Sequence, residues 1–350
     1  MQEIIVGWDI GGAHVKAALL NAHGGVQQVY LQACPLWQGL EQLNQAVTAV
    51  MAALPVTDVR HVMTMTGELV DLFASREEGV QEIIAAMARL LPAHSLHIFA
   101  GSAGFLMPEQ VTLEYTTAVA SANWLATARY VAQQEAHGLL IDIGSTTTDI
   151  LLFKDASVQA IGFSDYQRLV SGELVYTGII RTAVMAVAQQ AFFNGQQQGL
   201  MAEYFATMAD VYRVTGELQE AHDQTATADG AEKTPEASAR RLSRLTGYDF
   251  RAEEWGMWQQ FARYLRGQQL RLIETGVTRQ LSRSVLPAQS CFVGAGVGRF
   301  LVRQLAQQLG YAYRDFDDLM PAVSAQCGDN LSGADCAPAV AVALLFASHA

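Results

Sequence analysis

Two short segments place an aspartate just before a glycine-containing turn. Residues 6–20 read VGWDIGGAHVKAALL and residues 139–153 read LLIDIGSTTTDILLF, so Asp9 and Asp142 occupy equivalent positions. A glycine turn lets backbone N–H groups approach phosphate oxygens because no Cβ stands in the way. The nearby aspartate is suited to hold Mg²⁺, since a carboxylate and a phosphate repel each other. The two segments therefore predict a clamp for a polyphosphate group, with Asp9 and Asp142 as metal ligands.

The residues within and after the two turns extend this prediction. Lys16 and Asp149 lie at equivalent positions beyond the turns. Lys16 would offset the charge of a leaving phosphate group; the alternative is an ordinary exposed lysine on a strand. Amides and hydroxyl groups of the turns would hold the phosphate oxygens. The residues predicted to form this binding surface are Gly11, Gly12, His14, Gly144, Ser145, Thr146 and Thr147.

A third segment, GELVYTGIIRT at residues 172–182, carries polar side chains in an otherwise apolar pattern. Glu173, Thr177 and Arg181 recur at every fourth position, so a predicted helix would align them in one stripe. Such a stripe is either a solvated face with an ion-pair ladder or one wall of a site. The spacing alone leaves both alternatives open.

A fourth segment, VGAGVGRF at residues 293–300, reads as a strand followed by a Gly-x-Gly-x-Gly turn and a helix that begins near Val297. Alone it is a weak signal for a phosphate or dinucleotide site, through Gly294, Gly296 and Gly298. No acidic residue stands at the spacing that a Rossmann fold requires. The two preceding Asp-Gly segments favour a different nucleotide fold.

Strands and helices alternate around these segments. Each Asp-Gly segment reads as a β-hairpin, which predicts sheets covered by helices and hence an α/β fold. Residues 190–288 differ, because they are Gln-rich and helical and are broken by a polar stretch at 221–240, predicted to be a loop or lid. A final helix is predicted from Pro338 to the end of the chain.

Length and composition limit the function classes. The chain has 350 residues, 51% of them hydrophobic and 16% charged, which favours two packed domains. Its net charge of −12 argues against binding to a nucleic-acid backbone. The four cysteines form no CxxC pair, and the N-terminal segment lacks the features of a signal peptide. No apolar run is long enough to span a bilayer, so we expect a cytoplasmic protein without a membrane partner.

Together, these motifs resemble the sugar kinase/Hsp70/actin superfamily, which has two α/β domains with a phosphate cleft between them. In this resemblance DIGGAHVK is the first phosphate loop, DIGSTTTD the second, and VGAGVG the nucleotide-side glycine loop. It implies an actin-like ATPase fold with a helical insertion in the second domain. The implied division is 1–135 for the first domain, 136–337 for the second with its insertion at about 190–288, and 338–350 for a C-terminal helix that packs back on the first domain.

A closer resemblance is to hydantoinase/oxoprolinase-like proteins, in particular the subfamily linked to tetrahydromethanopterin-dependent one-carbon transfer and methanofuran biosynthesis. The matching segments include SGELVYTGIIRTAV, AEYFATMADVYRVTGEL and TADGAEKTPEASARRLSRLTGYD. The resemblance implies transfer of an aminomethyl-furanmethanol group from its diphosphate to a phenol oxygen, with release of pyrophosphate. The implied acceptor is γ-glutamyltyramine or, in a methylofuran pathway, a tyrosine-type phenol. His14 departs from the family pattern, where we expect Asn.

The resemblance also implies residue roles. Mg²⁺ would lie at Asp9 and Asp142, while Lys16 and Arg181 would offset the diphosphate charge. The helix of residues 172–182 would line the cleft, with Gly172 and Thr177 near the cofactor. The phenol needs a base, because its pKa in water is near 10. The candidate bases, in order of preference, are Glu173, Asp149 and His14, and further pocket candidates are Asp210 and Tyr212.

Two other functions stay open at this level. One is an ATP-dependent kinase or amide hydrolase of the same superfamily, which would bind ATP at VGAGVG and form ADP. The other is a nucleotide-binding scaffold without turnover. The sequence also leaves open whether ATP or another nucleotide binds and whether the chain forms a homo-oligomer. The expected partners are the small-molecule diphosphate and the phenolic amine, with no nucleic acid.

Overall fold

The computed structural model describes residues 3–92, 94–321 and 331–349. The strands are β1 Ile5–Ile10, β2 His14–Leu20, β3 Val26–Ala33, β4 Arg60–Met65, β5 Leu96–Phe99, β6 Phe105–Leu106, β7 His137–Ile143, β8 Thr148–Lys154, β9 Ser157–Val158, β10 Leu174–Val175, β11 Gln190–Phe193, β12 Gln196–Gly199, β13 Cys291–Ala295 and β14 Ala312–Asp315. The α-helices are α1 Leu40–Ala53, α2 Arg76–Leu90, α3 Thr116–Val119, α4 Asn123–Gln134, α5 Asp165–Ser171, α6 Met208–Thr215, α7 Pro235–Thr246, α8 Trp255–Leu281, α9 Arg299–Leu309 and α10 Ala337–Ala347.

The first half of the chain forms a six-stranded sheet in the order β3-β2-β1-β4-β5-β6. Every residue of β1 is buried, as expected for a central strand covered on both faces. β1 and β2 form the first predicted hairpin, with Asp9 directly opposite Lys16. The parallel strands β1, β4 and β5 end at the same edge of the sheet, where the turn between β1 and β2 also lies.

The second sheet repeats this arrangement. Its order is β10-β8-β7-β13-β14, with β9 paired to β8. β7 and β8 form the second predicted hairpin, in which Asp142 lies directly opposite Asp149. The two hairpins thus have the same register, and β13 runs parallel to β7 as β4 does to β1. The internal repeat predicted from the two Asp-Gly segments is confirmed at the level of strand pairing.

Helices α4 and α10 connect the two halves. Helix α10 is apolar on all sides and is almost entirely buried, which is typical of a helix inside a core. Both helices share one hydrophobic cluster with residues from each sheet, such as Leu20 and Leu151. Helix α10 approaches β1 so closely that the Ala339 carbonyl lies directly over Gly7. The small residue at position 7 therefore permits this contact.

Residues 190–288 form the insertion that the sequence predicts to be helical. It begins with the hairpin of β11 and β12, which the prediction missed, and continues with α6, α7 and α8. The predicted loop at 221–240 is shorter than expected, because residues 235–240 belong to α7. In the described parts of the chain, no helix combines the length and the apolar character needed to cross a membrane.

The helix predicted for residues 172–182 is wrong. Helix α5 ends at Ser171, and Gly172 adopts a left-handed conformation that terminates it. The chain continues as the short strand β10 and then as an extended loop. A Cβ at Gly178 would lie 2.5 Å from the backbone nitrogen of Thr146, so this loop packs directly on the second turn. The apolar pattern comes from burial on several sides, not from one helical face.

The contact between Gly7 and α10 can be tested with two glycine substitutions. Gly7→Ala should lower stability by about 1–3 kcal/mol or more, because its Cβ would overlap the backbone of α10. Gly267→Ala, in the interior of α8 with open space around the added atom, should raise stability by about 0.5–1 kcal/mol. Thermal unfolding of both variants is the measurement. Equal midpoints for the two variants would contradict this packing.

Candidate active site between the two hairpins

A cavity of about 600 Å³ lies between the two hairpins. Both turns contribute to it, together with residues before α4, the start of α2, and α5. One group of lining residues is polar and comes from the hairpins: Asp9, Gly11, Gly12, His14, Lys16, Asp142, Gly144, Ser145, Thr146, Thr147 and Asp149. A second group is largely aromatic and aliphatic: Trp37, Leu69, Val70, Trp124, Leu169, Leu174 and Tyr176.

The first hairpin places a carboxylate and an ammonium group together. Asp9 is buried, and its Oδ2 lies 3.8 Å from Lys16 Nζ. The Asn123 side-chain amide donates to Asp9 Oδ1 at 3.4 Å. Burial raises the pKa of Asp9 above its usual range, against the effect of Lys16. Burial alone would lower the pKa of Lys16, but Asp9 and other neighbouring acids raise it, so Lys16 carries a positive charge.

The second hairpin instead places two carboxylates together. Burial, and then the charge of Asp149, raises the pKa of Asp142 to about 7. Asp149 is paired with Arg168, whose Nη2 donates to its Oδ1 at 2.6 Å. The same guanidinium lies 4.2 Å from the centre of the Trp124 ring and is almost fully buried. Arg168 therefore gives Asp149 the positive partner that Lys16 provides for Asp9.

These carboxylates suit a hard divalent cation. Beyond the effect of burial, the charge of Asp149 raises the pKa of both Asp142 and Asp9, so a cation bound here would favour their ionised forms. Within the described residues, no three His, Cys, Asp or Glu side chains form a complete metal cage. Mg²⁺ commonly binds through one or two carboxylates and completes its shell with water and substrate phosphate. Asp9 and Asp142 fit that mode of binding.

The two turns close through equivalent hydrogen bonds. The Gly11 N–H donates to the His14 carbonyl at 3.0 Å, and the Gly144 N–H donates to the Thr147 carbonyl at 2.9 Å. Both glycine amides are therefore occupied inside their own turns. In this arrangement the two amides do not point to a phosphate, and their predicted contact with phosphate oxygens stays a prediction. Other turn residues that line the cavity can still donate a backbone N–H to a phosphate oxygen, among them Gly12, Ser145 and Thr146.

Arg181 and His14 both lie near the turns, but the two side chains differ in charge. The Arg181 guanidinium lies 5.2 Å from the centre of the Trp37 ring, and its Nη1 is 3.4 Å from Thr146 Oγ1. His14 is buried, and its Nε2 has no hydrogen-bond partner. Burial, and then the charges of Lys16 and Arg181, lowers the pKa of His14 to about 4. At pH 7 His14 is neutral, whereas Arg181 is available to an anion.

The structure does not bring the other members of the predicted stripe into the cavity. Glu173 has no exposed surface, and its two oxygens accept hydrogen bonds from the backbone N–H groups of Ile161 and Gly162, each at 2.8 Å. Thr177 is buried and accepts a hydrogen bond from Gln269 Nε2 at 2.8 Å. Gly172 caps α5. Glu173 thus stabilises the loop before α5, and of the stripe only Arg181 lines the cavity.

The glycines of VGAGVG also serve packing. The Gly296 N–H donates to the Ala334 carbonyl and the Gly298 N–H donates to the Ile143 carbonyl, both at 2.8 Å. A Cβ at Gly294 would lie 2.7 Å from the Tyr313 hydroxyl. The amides of Gly296 and Gly298 are thus occupied, and the turn lies against the end of β7. A second cavity of about 220 Å³ lies beside it and includes Arg299, Phe300 and Tyr313 in its wall.

The two further pocket candidates lie in the insertion core. Asp210 is paired with Arg241, whose Nε lies 2.8 Å from its Oδ1. Tyr212 is fully buried and its hydroxyl donates to Gln269 Oε1 at 2.6 Å. Neither residue lines the cavity between the hairpins.

Sequence reasoning missed a polar group at the aromatic side of the cavity. Ser121 Oγ lies 2.7 Å from Glu68 Oε1 and 3.1 Å from Asp165 Oδ2. Arg76 Nη2 lies 2.7 Å from the same Asp165 oxygen. These residues come from three separate segments of the chain, at 68–76, 121 and 165, so no local pattern joins them. The lone Arg168 on α5 was missed for the same reason.

Known proteins share sequence with much of this chain. The hydantoinase/oxoprolinase family matches residues 60–327. A relative from Methanocaldococcus jannaschii is 32% identical over 279 residues, covering 79% of this chain and 82% of the relative, and is named (4-{4-[2-(gamma-L-glutamylamino)ethyl]phenoxymethyl}furan-2-yl)methanamine synthase. A protein with the same name from Methanococcus vannielii is 31% identical over 119 residues, covering 34% of this chain and 53% of that protein.

Comparison with solved structures concerns the fold. A nucleotide-free structure of acetone carboxylase superposes with a TM-score of 0.55 at 9% identity, covering 86% of this chain and 66% of the other. The fold is the predicted α/β, two-domain, actin-like fold.

The raised pKa of Asp142 predicts that the stability of the fold depends on pH. A carboxyl group whose pKa is higher in the folded chain destabilises the fold as pH rises from about 4 to 7, because only the unfolded chain ionises freely there. Asp142→Asn removes this effect. Without metal, the variant should exceed the wild type in stability by about 1–4 kcal/mol at pH 8 and match it near pH 4.

The measurement is denaturant unfolding at both pH values with a chelator present. Asp155→Asn, the same change at an exposed turn, is the control and should shift neither value. A variant less stable than the wild type at pH 8 would show that the Asp142 charge is well compensated in the fold.

Proposed function

Because the chain belongs to the hydantoinase/oxoprolinase family, we propose that it is a transferase of methanofuran-type cofactor biosynthesis. It would join an aminomethyl-furanmethanol diphosphate to the phenol oxygen of a γ-glutamyltyramine or tyrosine-type acceptor and release pyrophosphate. The main support is the 32% identity to a named synthase over 79% of the chain. The cavity adds chemical support, because it combines phosphate-type turns with an aromatic wall.

The diphosphate of the donor would lie against the two hairpin turns. The amides of Gly12, Ser145 and Thr146 would donate to its oxygens. Lys16 and Arg181 would offset the charge that grows on the leaving group. Mg²⁺, held by Asp9 and Asp142, would neutralise part of the diphosphate charge when bound. These roles use only residues that line the cavity.

The furan and the phenol would lie along the aromatic wall. As pyrophosphate leaves with the electron pair of its carbon–oxygen bond, the furan ring shares the positive charge that develops on the exocyclic carbon. Trp124, Leu169 and Tyr176 line this wall, and their apolar surface would limit the access of water to the developing cation. The phenol oxygen would then form the new bond to that carbon.

A second candidate is an ATP-dependent reaction of the hydantoinase type. The observation in its favour is the smaller cavity beside the glycine turn of β13 and α9, which offers arginine and aromatic side chains. The occupied amides of Gly296 and Gly298 leave that turn little capacity to hold phosphate. We therefore rank this candidate second.

The direct test mixes the purified protein with Mg²⁺, the furan diphosphate and either tyramine-type or tyrosine-type phenols. We expect pyrophosphate and an ether product, detected by mass, in equal amounts. A parallel reaction contains ATP without the furan diphosphate. Formation of ADP there, with no ether in the first reaction, would support the ATP-dependent alternative.

Replacement of Asp142 should separate activity from stability. Asp142→Asn removes a metal ligand and should lower turnover at least about 1,000-fold, since electrostatic stabilisation of the leaving group is lost. The same variant should unfold at a higher denaturant concentration than the wild type at pH 8. Asp155→Asn should leave both properties unchanged. Near-normal turnover of Asp142→Asn would remove Asp142 from the diphosphate site.

A further inference from the structure

A polar cluster beside the cavity limits how many of its carboxyl groups can be ionised. It consists of Glu68, Ser121, Asp165 and Arg76. The Ser121 hydroxyl carries one hydrogen but lies within hydrogen-bond distance of a Glu68 oxygen and an Asp165 oxygen. If both carboxyl groups were ionised, one of these contacts would contain no hydrogen. One carboxyl group must therefore be protonated for both contacts to be hydrogen bonds.

The environment indicates which carboxyl group keeps the proton. Glu68 is 1% exposed, its Oε2 has no partner, and burial raises its pKa. Asp165 is partly exposed, lines the cavity and pairs with the Arg76 guanidinium. At Glu68 burial outweighs the opposing charge of Arg76 and favours the neutral form, whereas the Arg76 guanidinium is paired directly with Asp165. The resulting order is Glu68 donating to Ser121 and Ser121 donating to the Asp165 carboxylate.

This arrangement is held by a strained backbone. Ser121 lies in the break between α3 and α4 with a φ of 51°, a left-handed conformation that costs energy for a serine. The break divides residues 116–134 into two helices. It allows the Ser121 hydroxyl to reach residues of both halves of the chain.

Helix α5 links Asp165 to the proposed diphosphate site through Arg168. Asp165 and Arg168 lie three residues apart on α5, so they share one face of the helix. Ser121 contacts Asp165, and Trp124 lies under Arg168. Arg168 in turn binds Asp149, which lies opposite Asp142 in the second hairpin. Asp165 is thus one helical turn from a group that borders the leaving-group site, and it opens on the aromatic part of the cavity.

We infer that Asp165 is the catalytic base that accepts the phenol proton, with Ser121 and Glu68 as positioning residues; this inference rests on the proposed transferase reaction. The phenol oxygen forms its bond to the exocyclic carbon while the O–H proton passes to an Asp165 oxygen. The carbon–oxygen bond to the diphosphate breaks, and pyrophosphate leaves with its electron pair. Atoms and charges balance without a further reactant.

The experiment compares acceptors whose phenols differ in acidity. Asp165→Asn keeps the size of the side chain and an oxygen acceptor for Arg76 and Ser121, but it cannot take the proton. With tyramine-type acceptors its kcat should fall about 100- to 10,000-fold. With fluorinated analogues, whose phenol pKa is lower by about two units or more, the loss should shrink at least about tenfold.

Several controls make the outcome specific. Asp155→Asn should behave as the wild type with every phenol. Ser121→Ala keeps the pair of Asp165 and Arg76, so it serves as the second variant if Asp165→Asn fails to fold, and its smaller loss should also shrink with acidic phenols. Glu68→Gln, which mimics a neutral acid and can donate to Ser121, should stay within about threefold of the wild type.

The outcomes separate the inference from the function on which it rests. An equal loss with all phenols in Asp165→Asn, while the wild type makes ether, would overturn the role of Asp165 alone. A large loss in Glu68→Gln would overturn the proton count and require an ionised Glu68. Absence of ether from the wild type with every phenol would overturn the proposed function and this inference together.

Discussion

The burial of like charges at the facing ends of two hairpins is the constraint on which the rest of the site depends. Burial, together with the nearby charge of Asp149, raises the pKa of Asp142 and of Asp9. A fold that buries such charges must compensate them through hydrogen bonds, cations or a bound metal. Lys16 and Arg168 supply part of that compensation. The remainder makes the cleft attractive to a divalent cation together with its anionic ligand.

The two hairpins have the same register, but the residue opposite the aspartate differs in charge. It is Lys16 in the first hairpin and Asp149 in the second. In the first, the strand itself carries the cation, because Lys16 lies opposite Asp9. In the second, Asp149 takes that position, and the cation arrives from α5 as Arg168. The contact between Asp149 and Arg168 connects the second hairpin to helix α5, which also bears Asp165. The first duplicated hairpin thus carries its own cation, and the second is connected through Arg168 to the aromatic part of the cavity.

The sequence predicts the features that depend on interactions between residues close together in the chain. The hairpins, the central strands and most helices were recognisable from alternation, apolar runs and glycine turns, and Lys16 and Asp149 were correctly predicted to lie at equivalent hairpin positions. The segment 172–182 was misread because its apolar residues are buried by several partners, which imitates helical periodicity. Gly296 and Gly298 looked like a phosphate loop, although their amides are used for packing. Glycine patterns alone do not distinguish close backbone packing from anion binding.

Residues that act across the cleft were beyond the reach of sequence patterns, because their meaning lies in contacts between distant segments. Ser121 with Asp165, Trp124 with Arg168, and Trp37 with Arg181 each join the first half of the chain to the second.

These three contacts also relate the two parts of the reaction. An opening of the cleft would separate Asp165 from Ser121 and, at the same time, Arg181 from Trp37. In the proposed reaction, the residues that would bind the diphosphate and those that would orient the base both depend on contacts between the two halves of the chain. Such a dependence would limit the access of water while the furan cation forms, because both sets of contacts would be assembled together.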